Sequence, residues 1–164
     1  MNNQHPIDDT RLVTLLHAYL DARYRWQHRD DWHDIVIGLP TPGLDLRYPD
    51  AAGFGLVSAW NPMSVARPPT ENRRSDRALE AELSALGLPH MPAFASAADR
   101  SWREPSWIVL GMEVGAFDAL AQRYDQLGTL WWSRETPVRL RMYAGRPAGL
   151  EGDLDQIVAV DDTV

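Results

Sequence analysis

Phe54-Gly55-Leu56-Val57-Ser58-Ala59-Trp60-Asn61-Pro62 opens the part of the chain whose reading decides the fold. The apolar and small residues up to Trp60 read as a buried strand. Asn61-Pro62 ends it, because proline has no N–H for a ladder and restricts the residue before it. A loop from Ser64 to Pro69 leads to Thr70, a candidate N-cap, and to a helix reaching Leu86 with Gly87 as its stop. Two further strands are expected at Met91 to Ala97 and Ser106 to Met112, around a polar loop carrying Asp99, Arg100, Trp102, Arg103 and Glu104. Val114, Phe117, Leu120, Tyr124 and Leu127 recur at helical spacing before a strand at Thr129 to Ser133. From 54 to 133 the order is strand, helix, strand, strand, helix, strand. This predicts an α+β protein with a ferredoxin-like βαββαβ core, both helices on one face of an antiparallel sheet.

Outward from that core, Asp8 or Asp9 can cap a first helix whose apolar face is Leu12, Leu16, Tyr19, Leu20 and Trp26, running to about Gln27. Asp34 to Leu39 and Leu44 to Tyr48 read as a half-exposed hairpin around Pro40-Thr41-Pro42-Gly43. Val138, Leu140 and Met142 alternate with Arg139, Arg141 and Tyr143, which adds a strand over Pro137 to Tyr143. A single domain is expected over 1–143, followed by a flexible acidic tail over 144–164 marked by Gly145, Pro147, Gly149 and Gly152.

A chain of 164 residues, 45% hydrophobic, suits one core. It has no cysteine, which excludes disulfides, thiolate metal sites and cysteine nucleophiles. All 16 basic residues are arginine, so no lysine is present for Schiff-base or phosphate-loop chemistry. Of the net charge of −7, the tail carries −4 through Glu151, Asp153, Asp155, Asp161 and Asp162 against Arg146. A body this near neutrality, with no basic stripe, is a poor binder of duplex nucleic acid. Neither a basic, apolar leader nor a run of about 20 apolar residues is present. The expectation is a soluble, cytoplasmic protein without a membrane span.

Near the start of the 70–86 helix, Asn72, Ser75 and Asp76 fall within roughly 60° of Leu79 at about 100° per residue. They therefore face inward, whereas Arg73, Arg74 and Arg77 face out. Polar groups so placed must be answered by partners or by a ligand.

Taken together, Ala59-Trp60-Asn61-Pro62-x-Ser64, Asn72-Arg73-x-x-Asp76-x-x-Leu79, Trp102-x-Glu104-x-Ser106 and Tyr124-x-Gln126 resemble a bacterial family, domain of unknown function 3293. Tyr124-Asp125 stand where the family pattern has phenylalanine-glycine. The resemblance implies a small soluble bacterial protein and carries no reaction or ligand.

The residues themselves frame three functions. In the first, a pocket between the strand end, the Asn72 helix and the Trp102 to Ser106 loop binds a small polar or anionic molecule, nucleotide-like ones included. Its contacts would come from Asn61, Ser64, Asn72, Arg73, Asp76, Trp102, Glu104 and Ser106, with Arg67, Arg73 or Arg103 as a clamp at the helix N-terminus. In the second, the pocket is an active site in which Asp76 or Glu104 is general acid or base. In the third, these groups only brace the loop, and a protein partner meets a sheet edge or the tail. His28 to Asp34 reads as a solvated turn rather than a metal site. No cofactor is expected: G-x-G-x-x-G and phosphate-loop signatures are both missing, and no Ser-His-Asp triad is assigned.

Overall fold

The computed structural model describes residues 7–145 and 156–160. The strands β1 (Arg23–His28), β2 (Asp31–Ile35), β3 (Gly53–Val57), β4 (His90–Ser96), β5 (Arg103–Leu110), β6 (Gly128–Ser133), β7 (Arg139–Met142) and β8 (Ile157–Ala159) form one sheet. Their order is β2-β1-β4-β5-β3-β6-β7-β8. Every pairing is antiparallel except β7 with β8. The helices are α1 (Asp9–Asp21), α2 (Pro42–Arg47), α3 (Pro69–Ala85) and α4 (Val114–Arg123). The protein is thus α+β, and the expected strand–helix–strand–strand–helix–strand order stands between Gly53 and Ser133. β5 lies between β3 and β4, and β3 between β5 and β6, so each crossover helix spans an intervening antiparallel strand.

Alternation along the strands sends side chains to two separate cores. Phe54, Leu56, Ile108, Leu110, Leu130 and Trp132 meet Leu12 and Leu16 of α1 and Leu44 of α2. Val57 and Val109 point the other way, onto Leu79 and Leu83 of α3 and Phe117 and Leu120 of α4. Gly55 is needed there, since a Cβ at that position would overlap the Phe117 ring. Asp118 on α4 accepts from Arg141 Nε (2.8 Å), Arg141 Nη2 (2.6 Å) and the Tyr143 hydroxyl (2.7 Å), tying α4 to β7 and the residue after it.

α1 is capped as expected: the Asp8 carboxylate accepts from Arg11 N at 2.8 Å. Asp8→Ala should lower stability by about 1 kcal/mol, read as a fall of roughly 2–4 °C in Tm for a chain of this size. An unchanged Tm would mean that water replaces the cap. At the other end, Gly87 takes φ +69°, and Leu88 N donates to Leu83 O (3.2 Å), a left-handed stop that ends α3.

The N-terminal third departs from the sequence reading. α1 stops at Asp21 rather than near Gln27, and Tyr24 and Trp26 belong to β1. Their alternation with Arg23, Arg25 and Gln27 suits a strand once β4 is present on one side and β2 on the other. The expected strand over Leu44 to Tyr48 is instead α2. Leu44 is fully buried but Leu46 is 82% exposed, so the alternating leucines do not share a sheet face. Tertiary partners complete that helix: Trp132 Nε1 donates to Thr41 Oγ1 (2.8 Å), and Arg134 Nη1 donates to the carbonyls of Asp45 (2.7 Å) and Tyr48 (3.1 Å). The hairpin of this region is β1–β2, with its turn at Arg29-Asp30. β5 begins at Arg103, so Glu104 stands on a strand and not in a loop. Of the expected tail, Ile157–Ala159 pair with β7, whereas Arg146, Pro147, Gly149, Glu151, Gly152, Asp153, Asp155, Asp161 and Asp162 lie outside the described residues. No helix among the described residues is long and apolar enough to cross a membrane.

Candidate functional site

Beneath α1, on the face opposite α3 and α4, is a cavity of about 280 Å³. α1 contributes Leu15 and Tyr19, β1 contributes Tyr24, and β3 with the residues after it contributes Leu56, Ser58, Asn61 and Ser64. Glu104 and Ser106 of β5 enter from one side, Gln126 and Gly128 from the other, and Trp102 stands in the wall 41% exposed. Gly128 lets Tyr19 approach β6, because a Cβ there would lie 3.0 Å from Tyr19 Cζ and 3.1 Å from Met142 Sδ. Of the residues expected at the site, the cavity brings together Asn61, Ser64, Trp102, Glu104 and Ser106.

Asn72, Arg73 and Asp76 are elsewhere. On β5, Glu104 and Ser106 face α1, while Trp107 between them and Val109 faces α3. Asp76 follows Trp107, accepting from its Nε1 at 3.0 Å. Burial raises the Asp76 carboxyl above the ordinary range, and the Trp107 hydrogen bond draws it partly back. The two acids therefore sit on opposite faces of the sheet, and the carboxylate pair expected to divide acid and base work is not formed. Arg73 is an exposed residue of α3.

Asn72, 2% exposed, organises the loop instead. Its Oδ1 accepts from Asn61 N (2.9 Å) and Arg67 Nε (2.6 Å), and its Nδ2 donates to Asn61 Oδ1 (2.8 Å). Arg67 Nη2 donates to Ala59 O (3.0 Å) and Ser75 Oγ (2.7 Å). Arg67 is thus consumed by the loop rather than held for an anion. Between these anchors Asn61, Met63 and Ser64 all take positive φ, 46°, 57° and 54°. Such backbone is costly for residues other than glycine, and persists only where surrounding bonds hold it. Further bonds do so: Met63 N donates to Asp125 O (2.7 Å), Arg11 Nη2 to Met63 O (3.0 Å), and Gln126 Nε2 to Trp60 O (3.2 Å). Asp125 itself has φ +52°, a conformation that favours glycine.

Glu104 is left with little to stabilise its charge. Ser58 Oγ is 3.3 Å from Oε1, but the same hydroxyl has a shorter bond to Pro105 O at 2.8 Å. No arginine or histidine is among the described residues lining the cavity. Burial pushes the Glu104 carboxyl up to about 7, with Ser58 only partly opposing it. Tyr19 is pushed up to about 12, chiefly by burial, while Tyr24 is raised further and donates to Tyr19 O at 2.5 Å. Both phenols are held protonated, so of these three cavity groups Glu104 is the one shifted to near neutrality.

Sequence reading missed Ser58, Tyr19, Tyr24 and Gln126 as parts of this wall. Tyr19 and Leu15 sit one helical turn apart on α1, and that spacing reads equally as core. Ser58 carried a usable signal: a lone hydroxyl in an apolar strand, matching the inward parity of Phe54 and Leu56.

No curated protein and no solved structure matches the chain. Residues 57–128, from the last residue of β3 to the first of β6, take in the loop, α3, β4, β5 and α4, and this stretch matches the model of a family described as protein of unknown function, DUF3293.

Proposed function

We propose that this protein binds a small polar molecule in the cavity beneath α1 and that Glu104 recognises it through a proton-bearing nitrogen. The carrying observation is a partly buried carboxyl with one weak donor, no arginine or histidine among the described residues lining the cavity, and a wall otherwise made of apolar, hydroxyl and amide groups. A buried carboxylate needs a partner, and here a ligand N–H or ammonium would supply it. The Tyr19, Tyr24 and Trp102 rings add faces suited to a cationic or planar group.

The same carboxyl favours a second reading, a one-carboxylate acid–base enzyme, because a group titrating near 7 exchanges protons readily at physiological pH. Asp76 has no part in it.

A thermal-shift panel of amines, aminated heterocycles, amino acids, nucleotides and sugar phosphates tests the binding reading. A nitrogenous ligand at about 100 times its Kd should add roughly 2.7 kcal/mol. For a permanent cation the shift should be larger at pH 8, where Glu104 is ionised, than at pH 6. Glu104→Gln should abolish it and Asp76→Asn should leave it. A panel whose hits all survive Glu104→Gln would refute the assignment. On a substrate found this way, turnover retained by Glu104→Gln would remove the enzyme reading.

A further inference from the structure

The α3 face of the sheet is not covered to its end. Leu79 and Leu83 of α3 lie over Val57, Val109 and Trp107, which leaves the β2-β1-β4 edge and the start of β5 bare on that side. Strand parity brings a particular set of residues there. Arg23 lies opposite Ser96, and Ser96 opposite Arg103, in one row across β1, β4 and β5. In the next row Asp34, Arg25 and Phe94 are neighbours across β2, β1 and β4. With Trp32 and Arg100 they line a groove of about 470 Å³.

Charge and ring geometry make this groove more than a solvated surface. Its single acid, Asp34, is already paired with Arg25 at 2.7 Å. Among the described residues, Arg23, Arg100 and Arg103 have no ion pair, so three guanidinium charges gather in a protein whose net charge is −7. Like charges held together are unfavourable unless an anion joins them. The Arg103 guanidinium is stacked 4.0 Å from the Phe94 ring centre and 5.6 Å from that of Trp32, and the two rings meet edge to face at 4.7 Å. Arg103 thus has a rigid apolar backing that leaves its N–H fork for a phosphate or carboxylate. The aromatic plates beside it suit a planar base.

We propose that this groove is a binding site for a free nucleoside phosphate, with Arg23, Arg100 and Arg103 on the phosphates and the base against the Trp32–Phe94 pair. The groove's volume falls in the range of small-ligand sites, roughly 300–1,000 Å³. A long polyanion would be repelled by the acidic remainder of the molecule, which favours a single nucleotide over a nucleic-acid strand. The site is separate from the Glu104 cavity and does not depend on it.

Calorimetric titration of the whole protein with ADP in EDTA at low salt is the test. ADP should bind with a Kd below about 1 mM, more weakly as salt rises, and pyrophosphate or adenosine alone should each bind at least about tenfold more weakly than ADP. Arg23→Gln with Arg103→Gln should weaken ADP by about tenfold or more with Tm unchanged, since each removes a charge-assisted bond. Arg103→Lys, which keeps the charge but loses both the N–H fork and the planar stack, should weaken ADP and pyrophosphate alike. Arg139→Gln, on β7, should change nothing. No ADP binding in the wild type, or equal binding in Arg103→Gln and wild type, overturns the proposal. Tighter binding of a ten-residue oligothymidylate than of ADP also overturns it, in favour of a single-stranded nucleic-acid surface.

Discussion

Glu104→Gln is expected to make the protein more stable than the wild type at pH 8, by about 2–3 kcal/mol, and to leave stability nearly unchanged at pH 4.5. The sign follows from the direction of the shift. Burial lifts the folded-state carboxyl from its ordinary value of 4.5 to about 7. Below the unfolded-state value the group is protonated in both states and folding pays nothing for it. As pH rises through the folded-state value, the unfolded chain has already gained a solvated carboxylate, and the folded chain must hold a poorly solvated one. Stability is therefore lost across this window and levels off above it. Glutamine keeps the shape and the Ser58 contact without the charge. Tyr19 and Tyr24, the titratable neighbours in the cavity, stay neutral throughout and do not distort the window. Chemical unfolding of both proteins from pH 4.5 to 8 gives the measurement, and subtracting the curves cancels every other titration. Parallel curves would mean that water reaches Glu104 freely, and the cavity would lose its recognition group.

Asn72→Ala should cost about 3 kcal/mol, because it orphans the Asn61 N–H and one Arg67 N–H in a buried setting and each unpaired donor costs about 1–3 kcal/mol. For a chain of this size that is roughly 6–12 °C in Tm. The loss is not confined to one contact. The Asn72 and Arg67 bonds help to hold Asn61, Met63 and Ser64 at positive φ, so the loop should relax. Faster amide exchange over residues 59–67, with α4 and β6 unaffected, would be the accompanying signature. A fall below about 1 kcal/mol would show that water or a rearranged Arg67 substitutes for the amide.

Much of the central fold was legible in the chain. The apolar run ending at Asn61-Pro62, the spacing of Leu79 and Leu83 and the stop at Gly87 are local signals, and local signals survive folding when they agree with the packing. The inward aim of Asn72 was legible for the same reason: helical geometry alone sets it. Arg23 to His28 was not, since its strand exists only through β4, some seventy residues on, and its other side through β2. Leu44 to Tyr48 misled because a five-residue alternation is weak evidence against a proline at the first turn and distant hydrogen bonds from Trp132 and Arg134. Glu104 and Asp76 looked like partners because the Asn72 helix and the Trp102 to Ser106 loop were expected to line one pocket. A strand has two sides, and Trp107 presents the wrong one.

The chain by itself determined the α+β class, the order of elements from Gly53 to Ser133, the lack of cysteine and lysine chemistry, and the resemblance of residues 57–128 to one family. Tertiary structure alone decided which polar groups meet. Side chains alternate across a strand, so one residue of register separates the cavity face of β5 from its α3 face. The cavity is walled by α1, β1, β3, β4, β5 and β6, and the arginine groove by the other face of β1, β4 and β5 together with β2. Those neighbours are set by long-range pairing, which no local pattern encodes.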